Sequence, residues 1–237
     1  MRFLYDSYSD IGKRDKNEDS FLVCEREGAL IAAVADGLGG CRGGEVASAF
    51  AVDELKQRFE ANSALDLGKA LEEINSGLLL KQRELGMKMK TTVCVVLINA
   101  EHTVAANIGD SRVYAFKDGG IVFQSTDHSV AQMCVDLGEI TPDGIRTHED
   151  RCILTRSLGS KQDIRADITV LDNSSYDSLL ICSDGFWGGV VEQQMCSALE
   201  QSETPGEWLG TMRKLCGTEI NSDNDNNTAV VINIKEG

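Results

Sequence analysis

Two segments of the chain share a pattern in which an apolar run ends in Asp-Gly and Gly-Gly follows shortly after. The first run ends at Asp36-Gly37 and the second at Asp184-Gly185. A carboxylate at the end of a buried strand has a fixed position, and the glycine behind it lets the backbone approach a ligand. Hard divalent cations prefer oxygen ligands, so the two segments together predict one metal site built from both halves of the chain. Taken alone, each Asp-Gly is more typical of a simple turn.

Further polar residues lie at predicted turns in a fixed order. The segment 14–19 reads Arg-Asp-Lys-Asn-Glu-Asp, 109–112 reads Gly-Asp-Ser-Arg, and 223–228 reads Asp-Asn-Asp-Asn-Asn-Thr. Each could be a turn or a solvated loop, because Asp, Asn, Ser and Gly readily form turns. The ordered set, which also includes Thr91-Thr92, would rarely arise by chance.

Hydrophobic periodicity predicts the elements that position these residues. Runs of strands are expected between two early and two late helices, and a short helix is expected at 129–138. The segment 139–160 is expected to be irregular. Capping residues are predicted at Asp66 and in Thr204–Glu207. Strands are predicted at 3–10, 20–24, 29–35, 92–99, 103–108, 112–116, 121–124, 165–171, 178–183 and 228–234, and the long helices at 44–60, 67–85, 190–201 and 205–220.

The order of these elements indicates an α+β fold. Strands that come in runs disfavour a doubly wound parallel sheet. The pattern favours a four-layer αββα sandwich in which helices flank two antiparallel β-sheets. The connections between the four strands from 92 to 124 have the composition of hairpin turns. With 237 residues, 42% of them hydrophobic, and no linker-like segment, a single domain over 1–237 is expected.

Composition excludes several classes of function. A net charge of −15 disfavours a nucleic-acid partner. The sequence shows no signal peptide or membrane span, so a cytoplasmic protein is expected. The eight cysteines are dispersed without a C-x-x-C pair and are expected to be reduced. With only three histidines, a zinc site is not expected.

The ordered motifs, with Gly43–Ser48, Thr126–Ser129 and Leu154–Gly159, resemble the metal-dependent serine/threonine phosphatases of the PP2C (PPM) family, in particular its compact bacterial members. The resemblance covers about Tyr8 to Ile234. It implies an αββα sandwich with two Mn²⁺ or Mg²⁺ ions at one end of the sheets. It also implies hydrolysis of phosphoserine and phosphothreonine by a water or hydroxide that bridges the metals.

The resemblance also implies metal ligands. Asp36 corresponds to the carboxylate that bridges both metals, and the carbonyl of Gly37 binds one of them. Asp184 and Asp225 correspond to ligands of the other metal. Asp110, together with Asp184, corresponds to the site of a weaker third metal in bacterial members. All-oxygen ligands suit Mn²⁺ or Mg²⁺ better than Zn²⁺.

Two further positions are implied to act with Asp36 in catalysis. Arg14 corresponds to the arginine that binds the substrate phosphate, for which a planar guanidinium is well suited. Glu18 corresponds to the acid that holds metal-bound waters. Together they would give an anionic substrate the local binding groups that the acidic chain otherwise lacks.

One position departs from many eukaryotic relatives, which carry histidine after the first Asp-Gly as a proposed general acid. This chain has Leu38 there. The hypothesis is that a metal-bound water protonates the leaving group, with His148 and His128 as alternatives. The segment 129–151 occupies the place of the family's flap beside the active site.

The sequence is compatible with three hypotheses for the function, which differ in the class of protein or in the substrate. The leading one is an active monomeric phosphatase that opposes a Ser/Thr protein kinase and acts on phosphorylated proteins. The second is a pseudophosphatase of the same fold, which binds phosphoproteins or a regulatory partner without turnover. The third is a sporulation or sigma-factor phosphatase, which usually carries sensor or membrane regions that this chain has no room for.

Overall fold

The computed structural model describes residues 1–38, 43–216 and 225–235. Within them, ten strands form two five-stranded sheets in which every neighbouring pair is antiparallel. Sheet I has the order β1 (Arg2–Asp10), β10 (Asn227–Lys235), β9 (Ser178–Cys182), β6 (Arg112–Lys117), β7 (Gly120–Gln124). Sheet II has the order β2 (Asp19–Arg26), β3 (Ala29–Asp36), β4 (Val93–Ile98), β5 (His102–Ile108), β8 (Asp167–Asp172).

Helices cover the outer face of each sheet. Sheet II packs against α1 (Gly44–Ala61) and α2 (Leu67–Leu85). Sheet I packs against α4 (Asp184–Gly189), α5 (Glu192–Glu200) and α6 (Pro205–Cys216). A shorter helix, α3 (Val130–Asp136), precedes the 3₁₀ turn Pro142–Thr147. The expected αββα sandwich is therefore confirmed.

Three apolar layers hold the sandwich together, and β3 shows how one strand serves two of them. Its side chains alternate, so that Ile31 packs toward the helices and Leu30 and Val34 pack toward sheet I. All three are fully buried. A buried aliphatic side chain of this size stabilises the fold by roughly 1.5–3 kcal/mol. This double burial explains why β3 reads as a continuous apolar run.

The predicted helix caps are confirmed. The Asp66 carboxylate accepts a hydrogen bond from the Lys69 amide at 3.0 Å. Thr204 and Glu207 exchange hydrogen bonds of 3.3 Å between the side chain of each and the amide of the other. Helix α4 was not predicted, because its three glycines are more typical of a turn. The predicted extension of the last helix over 217–220 lies outside the described residues.

The prediction of a hairpin turn at Gly109–Ser111 is wrong. Strand β5 pairs with β4 and β8 in sheet II, whereas β6 pairs with β7 and β9 in sheet I. The segment is a crossover between the sheets, and the left-handed φ of 107° at Gly109 helps it bend. The residue composition of a turn predicts where the chain changes direction, but it does not predict whether the two flanking strands pair with each other. The hairpins at Asn99–His102 and Lys117–Gly120 are confirmed.

No helix within the described ranges is both long and apolar enough to cross a membrane. The seven cysteines found there are free thiols, and Cys41 lies outside them.

Candidate metal centre

The predicted site residues lie together at one end of the two sheets. Asp36 ends β3, Asp184 begins α4 with one residue between it and the end of β9, and Asp225 lies two residues before β10. Asp110 lies in the crossover between the sheets. These residues surround a cavity of about 820 Å³. Its lining includes all seven: Arg14, Glu18, Asp36, Gly37, Asp110, Asp184 and Asp225.

Two adjacent threonines fix the backbone of Asp36. Its amide donates to Thr92 Oγ1 at 3.0 Å, and its carbonyl accepts from the Thr92 amide at 2.9 Å and from Thr91 Oγ1 at 2.8 Å. Thr92 Oγ1 also lies 2.7 Å from Ser111 Oγ, next to Asp110. Asp36 in sheet II is thereby linked to the crossover that leads into sheet I.

The two Asp-Gly glycines allow close approach of backbone to backbone. A Cβ at Gly37 would lie 2.3 Å from the carbonyl oxygen of Gly44. A Cβ at Gly185 would lie 2.2 Å from the carbonyl oxygen of Asn226. Both glycines are therefore needed to assemble the site, whatever their role toward a ligand. The Gly39-Gly40 pair lies outside the described residues, and Gly188-Gly189 belongs to α4.

The clustered carboxyl groups resist ionisation. Burial raises the pKa of Asp36, Asp110 and Asp184, and repulsion from neighbouring aspartates adds to it. The carboxyl groups of Asp36 and Asp184 also share a hydrogen bond, which favours ionisation of Asp184 and disfavours that of Asp36. Ionising several buried carboxyl groups close together is unfavourable, because each negative charge loses its hydration and repels the others. A divalent cation bound among them would offset this repulsion.

Asp19 belongs to this cluster, although the family resemblance implies no role for it. It lies opposite Asp36 in the β2–β3 ladder. Its Oδ2 accepts from Ser183 Oγ at 2.8 Å, whereas its buried Oδ1 has no hydrogen-bond partner in the part of the chain that the structure describes. Burial raises the pKa of Asp19 to about 7. Its position beside Glu18 in the segment 14–19 was the available signal.

Glu18 lies at the edge of the cavity and interacts with a second acid. Burial raises its pKa, and a hydrogen bond with the Glu45 carboxyl group raises it further. A Cβ at Gly44 would lie 2.9 Å from Glu18 Oε1, so the glycine leaves room for this carboxylate. The position is compatible with the implied role in holding water.

Arg14 contacts a predicted metal ligand. Its Nε and Nη2 donate to Oδ1 and Oδ2 of Asp225 at 2.8 and 2.6 Å. The family resemblance implies phosphate binding by Arg14 and metal binding by Asp225, and no sequence pattern predicted that they pair. Both side chains are partly exposed at the cavity.

The side chain of Asn226 holds the loop that carries Arg14 and Glu18 through three hydrogen bonds to its backbone. Its Oδ1 accepts from the Glu18 amide at 2.8 Å, and its Nδ2 donates to the carbonyl oxygens of Ile11 and Lys16, each at 2.9 Å. Sequence reasoning placed Asn226 in a motif without a role. Its function depends on three backbone groups more than 200 positions away, which no local pattern reveals.

Neither candidate histidine lines the cavity, but Leu38 does. His128 is buried, its Nδ1 accepts from the Gly109 amide at 3.1 Å, and its Nε2 lies 3.1 Å from Asp167. Burial lowers its pKa. His148 Nδ1 accepts from the Asp150 amide at 3.1 Å. The geometry therefore supports neither histidine as the general acid.

The donor set fits a hard cation in its chemistry. It supplies carboxylate and carbonyl oxygens from several elements. The unpartnered Oδ1 of Asp19 is buried behind this lining, opposite Asp36 in the β2–β3 ladder. Within the described ranges, however, no three acidic, histidine or cysteine side chains converge into a ready coordination shell. The Asp225 carboxylate is paired with the Arg14 guanidinium instead.

A family model described as Protein phosphatase 2C matches residues 8–218 of the chain. The chain belongs to the protein phosphatase 2C family. The serine/threonine phosphatase stp of Listeria monocytogenes serotype 4b (strain F2365) is 33% identical over 205 residues, which cover 82% of this chain and 81% of the relative. PstP of Mycobacterium tuberculosis (strain ATCC 25618 / H37Rv) is 31% identical over 206 residues, which cover 84% of this chain and 39% of PstP.

Solved structures of the protein phosphatase 2C family have the same fold. Serine/threonine phosphatase Stp1 from Staphylococcus aureus superposes with a TM-score of 0.92 at 31% identity, covering 100% of this chain and 96% of Stp1. The catalytic domain of PstP, in complex with two manganese ions, superposes with a TM-score of 0.84 at 28% identity, covering 99% of each chain. The family resemblance read from the motifs is confirmed.

Proposed function

We propose that the protein is a metal-dependent protein phosphatase that hydrolyses phosphoserine and phosphothreonine. The observation that carries the proposal is that all seven residues implied by the motifs line one cavity in a protein phosphatase 2C chain. The curated relatives named above are serine/threonine phosphatases, and the PstP structure contains manganese.

The centre would hold two Mn²⁺ or Mg²⁺ ions through Asp36, Gly37, Asp184 and Asp225, with a third, weaker ion at Asp110. When bound, the ions supply Lewis-acid activation of the phosphate, a nucleophile at neutral pH and neutralisation of transition-state charge. The threonine contacts to Asp36 hold that ligand in place before the ions bind. Glu18 and Asp19 add acceptors for ordered water.

Arg14 would bind the substrate phosphate. Its planar guanidinium can donate to two phosphate oxygens at once, as it does here to the two oxygens of Asp225. A phosphomonoester is a dianion and the chain carries a net charge of −15, so this local cation is needed for binding. Leu38 at the cavity wall cannot transfer a proton.

We infer that neither His128 nor His148 acts as the general acid. One limb of the pH–rate profile reports the ionisation of the acid that protonates the leaving group. That limb should stay at the same pH in His148→Ala and in His128→Ala, because neither side chain lines the cavity. Displacement of that limb in either variant would identify a histidine acid.

Several broader properties are proposed on the same basis. The protein acts as one domain in the cytoplasm, as a monomer, on phosphorylated substrates of a Ser/Thr kinase, and not on nucleic acid or at a membrane. The segment 129–151 acts as a flap beside the cavity.

The alternative hypothesis of a pseudophosphatase is disfavoured, because Asp36, Asp184 and Asp225 are all present.

Hydrolysis of p-nitrophenyl phosphate with Mn²⁺, with and without EDTA, tests the proposal. Turnover should need the metal and should fall strongly in Asp184→Asn. Asp53→Asn is the matched control, because Asp53 is exposed on α1 away from the cavity. A phosphoserine peptide should be hydrolysed in preference to its phosphotyrosine counterpart. Metal-independent turnover or a fully active Asp184→Asn would contradict the mechanism.

A further inference from the structure

Trp187 contacts the backbone of a residue at the candidate metal centre. It lies on α4, three positions after Asp184, and is almost completely buried. Its indole Nε1 donates a hydrogen bond of 2.9 Å to the carbonyl oxygen of Asp110. Asp110 lies in the crossover between the sheets and so has no strand ladder to hold its carbonyl. The indole supplies this bond.

A buried arginine fixes the indole ring in turn. The guanidinium carbon of Arg112 lies 3.6 Å from the centroid of the Trp187 ring, at stacking distance. Arg112 is held by a bidentate ion pair with Asp127, with distances of 2.8 and 2.7 Å. It also donates to Tyr114 Oη at 2.9 Å. The ring therefore packs against a surface that is itself tightly fixed.

We propose that Trp187 is a positioning residue that holds Asp110 in place for cation binding. Gly109, directly before Asp110, has a left-handed φ of 107° and a conformational freedom that other residues lack. His128 holds the Gly109 backbone, because its Nδ1 accepts from the Gly109 amide at 3.1 Å and its amide donates to the Gly109 carbonyl at 2.8 Å. The indole bond extends this attachment to the carbonyl of Asp110. Without it, the peptide group that contains this carbonyl can rotate and carry the Asp110 carboxylate away from Asp184. This inference rests on the metal centre proposed above.

The second tryptophan supplies a matched control. Trp208 is also buried, and its Nε1 donates to a main-chain carbonyl oxygen, that of Met195, at 3.1 Å. Met195 lies on α5 and does not line the cavity. The two indoles thus have the same burial and the same type of hydrogen bond, and only one of the accepting residues is a candidate ligand.

Calorimetric titration of the metal-free protein with Mn²⁺ tests the proposal. Asp110→Asn first identifies the binding event that depends on Asp110. Trp187→Phe, which keeps an aromatic ring and removes the N–H, should raise the dissociation constant of that event about 3- to 10-fold, as expected for one lost hydrogen bond. Trp208→Phe should leave it unchanged.

Three results would overturn the proposal: no binding event that responds to Asp110→Asn, an unchanged event in Trp187→Phe, or an equal effect in Trp208→Phe. Should Trp187→Phe fail to fold, the wild-type protein answers the question by NMR. In a titration with Mg²⁺, the indole N–H resonance of Trp187 should shift as the cation that depends on Asp110 binds. The indole N–H resonance of Trp208 should not shift. A Trp187 resonance that stays still would contradict the proposal.

The outcome can be separated from that of the proposed function, because metal binding is measured without turnover. A wild-type protein that binds Mn²⁺ through Asp110 but hydrolyses no phosphomonoester would refute the phosphatase assignment alone. A hydrolytic protein in which Trp187→Phe binds Mn²⁺ normally would refute only the role of Trp187.

Discussion

Arg14 and Asp225 form a two-point ion pair, with Nε–Oδ1 and Nη2–Oδ2 distances of 2.8 and 2.6 Å, across 211 positions of sequence. Asp225 is a proposed metal ligand and Arg14 a proposed phosphate ligand. The guanidinium occupies both carboxylate oxygens that a cation would use. A cation that bound Asp225 as proposed would therefore compete with Arg14 for this carboxylate and displace the guanidinium from it.

Arg14→Ala should raise the affinity of the metal-free protein for Mn²⁺ and yet lower turnover. A partly exposed pair contributes about 0.2–1 kcal/mol, so the affinity should rise about 1.5- to 5-fold in calorimetry. Loss of a charge-assisted phosphate contact should lower kcat/KM about 10- to 100-fold. Arg213→Ala, which removes a similarly exposed pair with Asp10, is the control. Weaker Mn²⁺ binding by Arg14→Ala would refute the competition.

Stability of the metal-free protein should fall as the pH rises through the range where Asp19 ionises. Burial raises the folded-state pKa of Asp19 from 3.8 to about 7, so the folded state holds this proton more tightly than the unfolded state. The stabilisation is complete below about pH 4 and is lost by about pH 7. It cannot exceed about 1.4 kcal/mol for each pH unit that separates the folded-state pKa from the unfolded-state pKa.

Asp19→Asn isolates this contribution, because an amide does not ionise. In EDTA, the free energy of unfolding of the wild type relative to the variant should decline between about pH 4 and 7. Saturating Mn²⁺ should reduce or reverse the decline, because cation binding favours the carboxylate. A difference that stays constant with pH would show that Asp19 has an ordinary pKa in the fold.

Gly185→Ala should destabilise the protein by several kcal/mol, because the new Cβ would lie 2.2 Å from the Asn226 carbonyl oxygen. Gly210→Ala is the matched control. Gly210 is also helical, and a Cβ there meets nothing within 4 Å, so this variant should gain roughly 0.5–1 kcal/mol. Urea unfolding of both variants measures the difference. Equal stability would mean that α4 and the Asn226 backbone can separate at little cost.

The 3₁₀ turn Pro142–Thr147 should loosen when its ion pair to α5 is removed. Arg146 Nη2 lies 2.8 and 2.7 Å from the two carboxylate oxygens of Glu192. Arg146→Met should increase hydrogen exchange across 139–153 and cost roughly 1–2 kcal/mol of stability, because Glu192 is only partly buried. Arg156→Met, which breaks a more exposed pair with Asp167, should leave that segment unchanged. Unaltered exchange in Arg146→Met would show that other contacts hold the turn.

Much of the fold follows from local patterns. Helix α2 begins and ends where the leucine spacing and the Asp66 cap predicted. Strand β3, whose two faces are both buried, was visible as a continuous apolar run. These features depend on periodicity, burial and capping within a few residues, which the chain order records directly. The crossover at Gly109–Ser111 was misread because pairing between strands is not a local property.

The sequence alone determined which residues are candidates for the site. Its ordered motifs have carboxylates at strand ends, and the family resemblance that they carry implies roles for seven residues. Only the tertiary structure decided how these residues contact one another. It paired Arg14 with Asp225, placed Asp19 opposite Asp36, and fixed the Asp110 carbonyl against Trp187. The physical reason is that residue type sets what a side chain can bind, whereas burial and contact between distant segments set its neighbours, its pKa and its freedom to move.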